Sequence, residues 1–198
     1  MRPIERSEIL PIGEYETIRP HFRARVVAEK RPRRVALGEH LSALFENRDS
    51  VLLQIQEMLR TERITKESGI QHELTTYNDL IPGERQLSVT LFVQIPDKDL
   101  RDRLLVELAG LEDSFSVVVN EERFPLRGPR PDGFVEGRTT AVHYLKADLT
   151  PAAVAAIIRG AAQAALLVEH PGLQARAELG RASLASLAED LADDPVAA

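Results

Sequence analysis

The chain of 198 residues contains no cysteine. That absence excludes disulfides, thiolate zinc sites, thiol nucleophiles and iron–sulfur clusters ligated by this chain. It also has no apolar run approaching the roughly 18 residues a membrane-spanning helix needs. The opening Met1-Arg-Pro-Ile-Glu-Arg-Ser-Glu8 lacks the apolar stretch of a signal peptide. These absences together predict a cytoplasmic protein with no membrane contact. Catalytic signatures are missing too. There is no Gly-x-Gly-x-x-Gly, no Gly-x-Ser-x-Gly elbow and no His-Glu-x-x-His, and no two of the five histidines sit three or four apart. The sequence carries no motif that names a reaction. Lysine is scarce as well, with 4 against 21 arginines.

What is present describes an ordinary globular chain, 43% hydrophobic and 28% charged. The length suits one large domain or two small ones and allows a core without covalent staples. Net charge is −6, yet the stretch Arg19 to Arg34 holds seven cations against the single Glu29. Such a run can be a phosphate or nucleic-acid patch, or the solvated C-terminal end of a helix, where cations favour the dipole. The acidic total and the lack of interleaved aromatics favour the helix end and count against nucleic acid.

The pattern along the chain predicts an α+β fold. Residues 1–83 read as mainly helical, with a helix starting at Pro20 and ending at Pro32 and a short hairpin around Gly38. A helical hairpin follows over 48–81, capped by Asn47 and Thr65 and closed by Pro82-Gly83. Residues 84–192 read as a tandem βαββ repeat. Each unit offers an alternating strand (Leu87 to Ile95; Ala141 to Leu149), a helix (from Asp97; from Thr150) and a β-hairpin. Together they predict one mostly antiparallel sheet with the helices on one face. The linker 127–137 reads as a flexible connector, Ser183 to Leu191 as a closing helix, and 193–198 as a frayed tail. The whole is expected to be one compact unit.

The helical hairpin is the candidate site. On a helical wheel Glu62 falls among Val51, Ile55, Met58 and Leu59, while Glu73, with His72 beside it, falls among Ile70, Leu74, Tyr77 and Ile81. A buried carboxylate is costly unless paired, protonated or bound to metal. Three readings follow. Glu62 and Glu73 form ion pairs with Arg60, Arg63 or an arginine of the 19–34 run; they bind a divalent metal with His72; or Glu57, Arg60, Glu62, Arg63, Glu73 and Tyr77 form an interaction surface. Elsewhere, His143 alternates onto an apolar strand face and is expected to be a satisfied core residue. His170, in a Pro-Gly turn, is expected to be exposed.

Three segments carry a resemblance: Arg6 to Pro11 (RSEILP), Leu44 to Ile64 (LFENRDSVLLQIQEMLRTERI) and Ile70 to Pro82 (IQHELTTYNDLIP). The chain resembles a bacterial family known as domain of unknown function 3501, over nearly its full length. The resemblance implies an accessory role in redox or oxidative-stress metabolism beside rubrerythrin-like or iron–sulfur proteins, and it supplies no catalytic residues. Two functions stay open: a non-catalytic accessory or binding protein, and a metal- or ligand-dependent enzyme built on the hairpin. A homodimer formed through the hairpin edges, Arg123 to Leu126 and Gln174 to Leu179, is a further expectation.

Overall fold

The computed structural model describes residues 1–130 and 135–192. The tail expected at 193–198 and the middle of the linker lie outside the described residues. An extended N-terminal segment with one 3-10 turn leads into α1 (Ile12–Arg33), which holds Pro20 inside it instead of starting there. A proline at this position orphans the Glu16 carbonyl, but both residues are exposed, so that oxygen is open to solvent and the helix continues. Pro32 sits in the last turn, not beyond it.

The expected hairpin follows as β1 (Arg34–Leu37) and β2 (Leu41–Glu46), turning at Gly38 with the positive φ of 70° that glycine tolerates. Helix α2 (Arg48–Thr61) is capped by Asn47, whose side chain accepts from the Ser50 N–H. Helix α3 (Glu67–Asn78) begins one residue later than expected, with Lys66 in the cap position and no side-chain cap.

The tandem units are both present. The first is β3 (Gln86–Val93), α4 (Lys98–Glu107), β4 (Phe115–Val119) and β5 (Glu122–Pro125). The second is β6 (Val142–Asp148), α5 (Pro151–Ile158), β7 (Ala164–His170) and β8 (Leu173–Glu178), followed by α6 (Arg181–Ala192). Equivalent strands of the two units pair with one another, β3 with β6 and β4 with β7, both antiparallel. The expected single sheet is therefore two four-stranded antiparallel sheets, ordered β1-β2-β3-β6 and β5-β4-β7-β8. Strands of both sheets contribute apolar side chains to a single core, so each sheet has a face to bury. Facing sheets bury it against each other.

Leu87, Val89 and Leu91 of β3, Val117 of β4, and Leu166 and Val168 of β7 meet in one core. Leu105 of α4 with Leu108 just past its end, and Val154 and Ile157 of α5, enter the same core. The two sheets also approach at their margins. Arg127 and Lys146 exchange backbone hydrogen bonds (2.8 and 2.7 Å) where the chain leaves β5 and passes β6, and β8 lies beside β1. The hairpin edges expected to seek a partner are thus flanked within the chain.

A second, smaller apolar cluster joins α2 and α3 to the N-terminal segment through Ile4, Ile9, Ile55, Leu59, Ile70 and Leu74. Two side-chain amides fasten that segment. Asn78 accepts from the Ile4 N–H (2.8 Å) and donates to the Ile4 carbonyl (3.0 Å), while Gln56 does the same to Leu10 (2.8 and 3.3 Å).

Candidate functional site

The helical hairpin forms, but Glu62 is not where the wheel put it. Helix α2 ends at Thr61, and Glu62 is its exposed C-cap. Arg63 then turns the chain with φ 53°, Ile64 N–H bonds to the Leu59 carbonyl (2.9 Å), and Arg63 N–H bonds to that of Arg60 (3.3 Å). This is a Schellman ending with arginine where glycine is usual. A wheel extended past Thr61 therefore assigns Glu62 to a face the chain has left. Glu73 is half-buried, His72 and Arg63 are exposed, and Tyr77 packs on the smaller cluster. Among the described residues no three His, Asp or Glu side chains converge as a metal site requires.

The carboxylate that matters on α2 is Glu57. Arg19 binds it through two nitrogens (2.7 and 2.9 Å), and the hydroxyl of fully buried Tyr15 donates to it at 2.7 Å. Arg60 stands 3.6 Å away and reaches Glu16 at 3.4 Å. The Arg19 hydrogen bond, outweighing partial burial, holds the Glu57 carboxyl at about 2, and burial with the Glu57 contact pushes the Tyr15 phenol up. Glu8 is held at about 2 in the same way by Arg48, its own backbone turn and Arg2. These clusters tie α1 and the N-terminal segment to α2. Their charges are largely paired, although the buried Nε of Arg60 has no hydrogen-bond partner.

Three arginines of the 19–34 run end in such pairs. Arg19 takes Glu57, Arg25 takes Asp49 (2.5 Å) and Glu29 (2.7 Å), and buried Arg33 takes Asp190 of α6 at 2.6 Å. Burial raises the Asp190 carboxyl despite that arginine. The expected arginine partners exist, but they serve carboxylates that the wheel did not select.

Two histidines are built into the fold. His143 faces the core as expected, its Nε2 2.9 Å from the Thr139 hydroxyl, which lies 3.2 Å from Glu112. Desolvation lowers its pKa, against the opposing pull of Glu112. His170, expected to be exposed, is buried: its Nδ1 accepts from Gly172 N–H (3.1 Å) and its Nε2 donates to the Ala109 carbonyl (3.0 Å). The Pro-Gly turn packs against the end of α4, and that contact was invisible in the local sequence.

Lys30, Arg31 and Arg34 of the same run line a groove of about 670 Å³ between α1 and the outer face of β1–β2. Lys30 and Arg31 stand on its helical side and Arg34 on its strand side, against one carboxylate, Glu39. Neither Lys30 nor Arg31 has an ion-pair partner among the described residues. Arg34 lies over the Phe92 ring (5.3 Å) and donates to Ser42 (3.2 Å), which in turn donates to Gln94 (2.8 Å). Val27, 38% exposed, gives the groove an apolar wall. An open cationic groove with one apolar side suits a ligand that carries both carboxylates and apolar groups. The sequence showed the cations. Which of them remain free depends on tertiary partners from 24 to 157 positions away.

The model of a family described as Protein of unknown function (DUF3501) matches residues 3–191. The chain belongs to this family. It is also similar to a crystal structure from Burkholderia pseudomallei, titled as a novel protein of unknown function. That structure is 33% identical with a TM-score of 0.89, over 96% of this chain and 100% of that one. No curated protein matches. Each of the three segments that carried the resemblance to DUF3501 supplies side chains to the smaller cluster, among them Ile9, Ile55 and Leu74, and the Gln56–Leu10 clasp joins two of them. None of the described helices is long and apolar enough to cross a membrane.

Proposed function

We propose that this DUF3501 protein is a cytoplasmic, non-catalytic accessory protein whose groove between α1 and β1–β2 receives an acidic segment of a partner protein. The observation that carries this reading is the sorting of the basic run. Arg19, Arg25 and Arg33 are neutralised inside the fold, whereas Lys30, Arg31 and Arg34 gather around one open groove. Lys30 and Arg31, which make no ion pair among the described residues, and Arg34, held by Ser42 and Phe92 but by no carboxylate, keep their charge for an anionic partner and accelerate and orient its approach. The redox association implied by the family resemblance fits if the partner, rubrerythrin-like or iron–sulfur, presents an acidic surface.

Fluorescence polarisation with a labelled peptide of alternating glutamate and leucine, against a lysine-for-glutamate control, tests the groove. The acidic peptide should bind the wild type, lose affinity as salt rises, and bind Lys30→Glu/Arg31→Glu about ten-fold or more weakly. Equal binding to wild type and variant would remove the groove from the function. A purified rubrerythrin-like protein in the same assay tests the redox association separately.

A further inference from the structure

Helix α6 buries Leu187 and Leu191 in the larger core and is tied to α1 by the Asp190–Arg33 pair. Its exposed side, at spacings of three and four, carries Arg181, Ala182, Ala185, Glu189 and Ala192. The small side chains allow another helix to approach closely. The charges run against the helix's own dipole. Arg181 opens the first turn, which holds no acidic residue, and Glu189 stands in the last turn, which holds no basic one. Neither forms an ion pair among the described residues. Beside this face, α5 carries no charged residue from Pro151 to Ile158, and Ile158 is left 37% exposed. A groove of about 710 Å³ between α5 and α6 is walled by Ile157, Ile158, Leu184 and Ala188, with Arg159 and Arg181 on its lining.

We infer that this face binds a second copy of the chain, α6 packing antiparallel on α6 about a two-fold axis at Ala185. The evidence for a second copy over an unrelated protein is the arrangement of residues about that point. Arg181 and Glu189 lie equally far on either side, so the axis sets Arg181 of one copy against Glu189 of the other, twice. On the axis itself the exposed Ala185 of one copy meets Ala185 of the other, small side chain against small side chain. Antiparallel helices oppose their dipoles, so charges that disfavour one helix favour the pair. The contact is distinct from the hairpin edges, which are flanked within the chain.

Sedimentation equilibrium provides the test. The wild type should pass from a species of 22.0 kDa to its dimer as concentration rises. R181E and E189R each turn both cross-axis attractions into repulsions, and each should weaken the dimer by about ten-fold. The double variant R181E/E189R should restore it. Ala185→Glu, on the exposed face, should abolish association with an unchanged thermal melt; if it melts early, the charge-reversal set decides alone. A wild type that stays monomeric to about 1 mM, where even a weak dimer is populated, would overturn the inference. So would a dimer indifferent to the single reversals, or one that the double reversal fails to restore.

Discussion

A carboxylate beside α2 stabilises the fold only through its surroundings, and those of Glu57 and Glu62 are opposite. Glu57 holds the hydroxyl of a fully buried tyrosine and two nitrogens of Arg19. Glu57→Ala removes the counter-charge of the partly exposed Arg19 and leaves the hydroxyl of buried Tyr15 unsatisfied, the latter at an expected cost of about 1–3 kcal/mol in urea unfolding. Glu62→Ala and Glu73→Ala should each stay within about 0.5 kcal/mol of wild type, as exposed or unpaired groups do. Added divalent metal should leave their melts unchanged, and a metal-dependent shift lost in either variant would restore the carboxylate site. The wheel misplaced Glu62 for an identifiable reason. The helix end is normally announced by glycine, and here Arg63 occupies that left-handed position. Arg63→Gly should therefore stabilise the protein by about 0.5–1 kcal/mol. A loss of stability would mean that the arginine side chain is worth more than its backbone strain.

Elements were legible wherever one strand or helix suffices to define the signal. Period-two alternation gave β3 and β6, Thr150-Pro151 gave the start of α5, and Asn47 gave that of α2. Partnership between elements was not legible, because alternation shows that a strand has an apolar face without showing what covers it. The clasp between α1 and α6 illustrates this, joining Arg33 to Asp190 and the Ser186 carbonyl across most of the chain. Burial opposes this pair even as the contact favours it, so its two halves are expected to behave asymmetrically. Asp190→Ala strands a cation that is 3% exposed and should cost about 3–5 kcal/mol. Arg33→Met/Asp190→Leu removes both charges and should recover most of that loss, within about 1 kcal/mol of wild type or above it. If the double variant is as unstable as Asp190→Ala, the pair contributes through attraction and not merely through mutual neutralisation.

At the scale of the whole molecule, two sheets share one apolar interior, and the imidazole of His143, buried in it, is held below its ordinary pKa by desolvation. Because its folded pKa lies below the ordinary value near 6.5, the unfolded chain takes up a proton before the native protein does. Stability from this group is therefore complete above about pH 6.5 and falls as pH drops toward the depressed folded value. The carboxylates act in a lower window. Glu8 and Glu57, held at about 2 against a usual 4.5, contribute stability above about pH 4.5 and lose it as pH falls through 2. Each is partly exposed, so screening limits its share to about 1–2 kcal/mol. Urea midpoints measured from pH 8 to pH 3 should thus decline in two stages. His143→Gln, with an amide that does not titrate and still reaches toward Thr139, should flatten the upper stage and leave the lower one intact. Glu57→Gln should leave the upper stage intact and shrink the lower one by about half, since Glu8 still titrates there. An upper stage that survives in His143→Gln would assign the proton uptake to another group and leave the core histidine a purely structural residue.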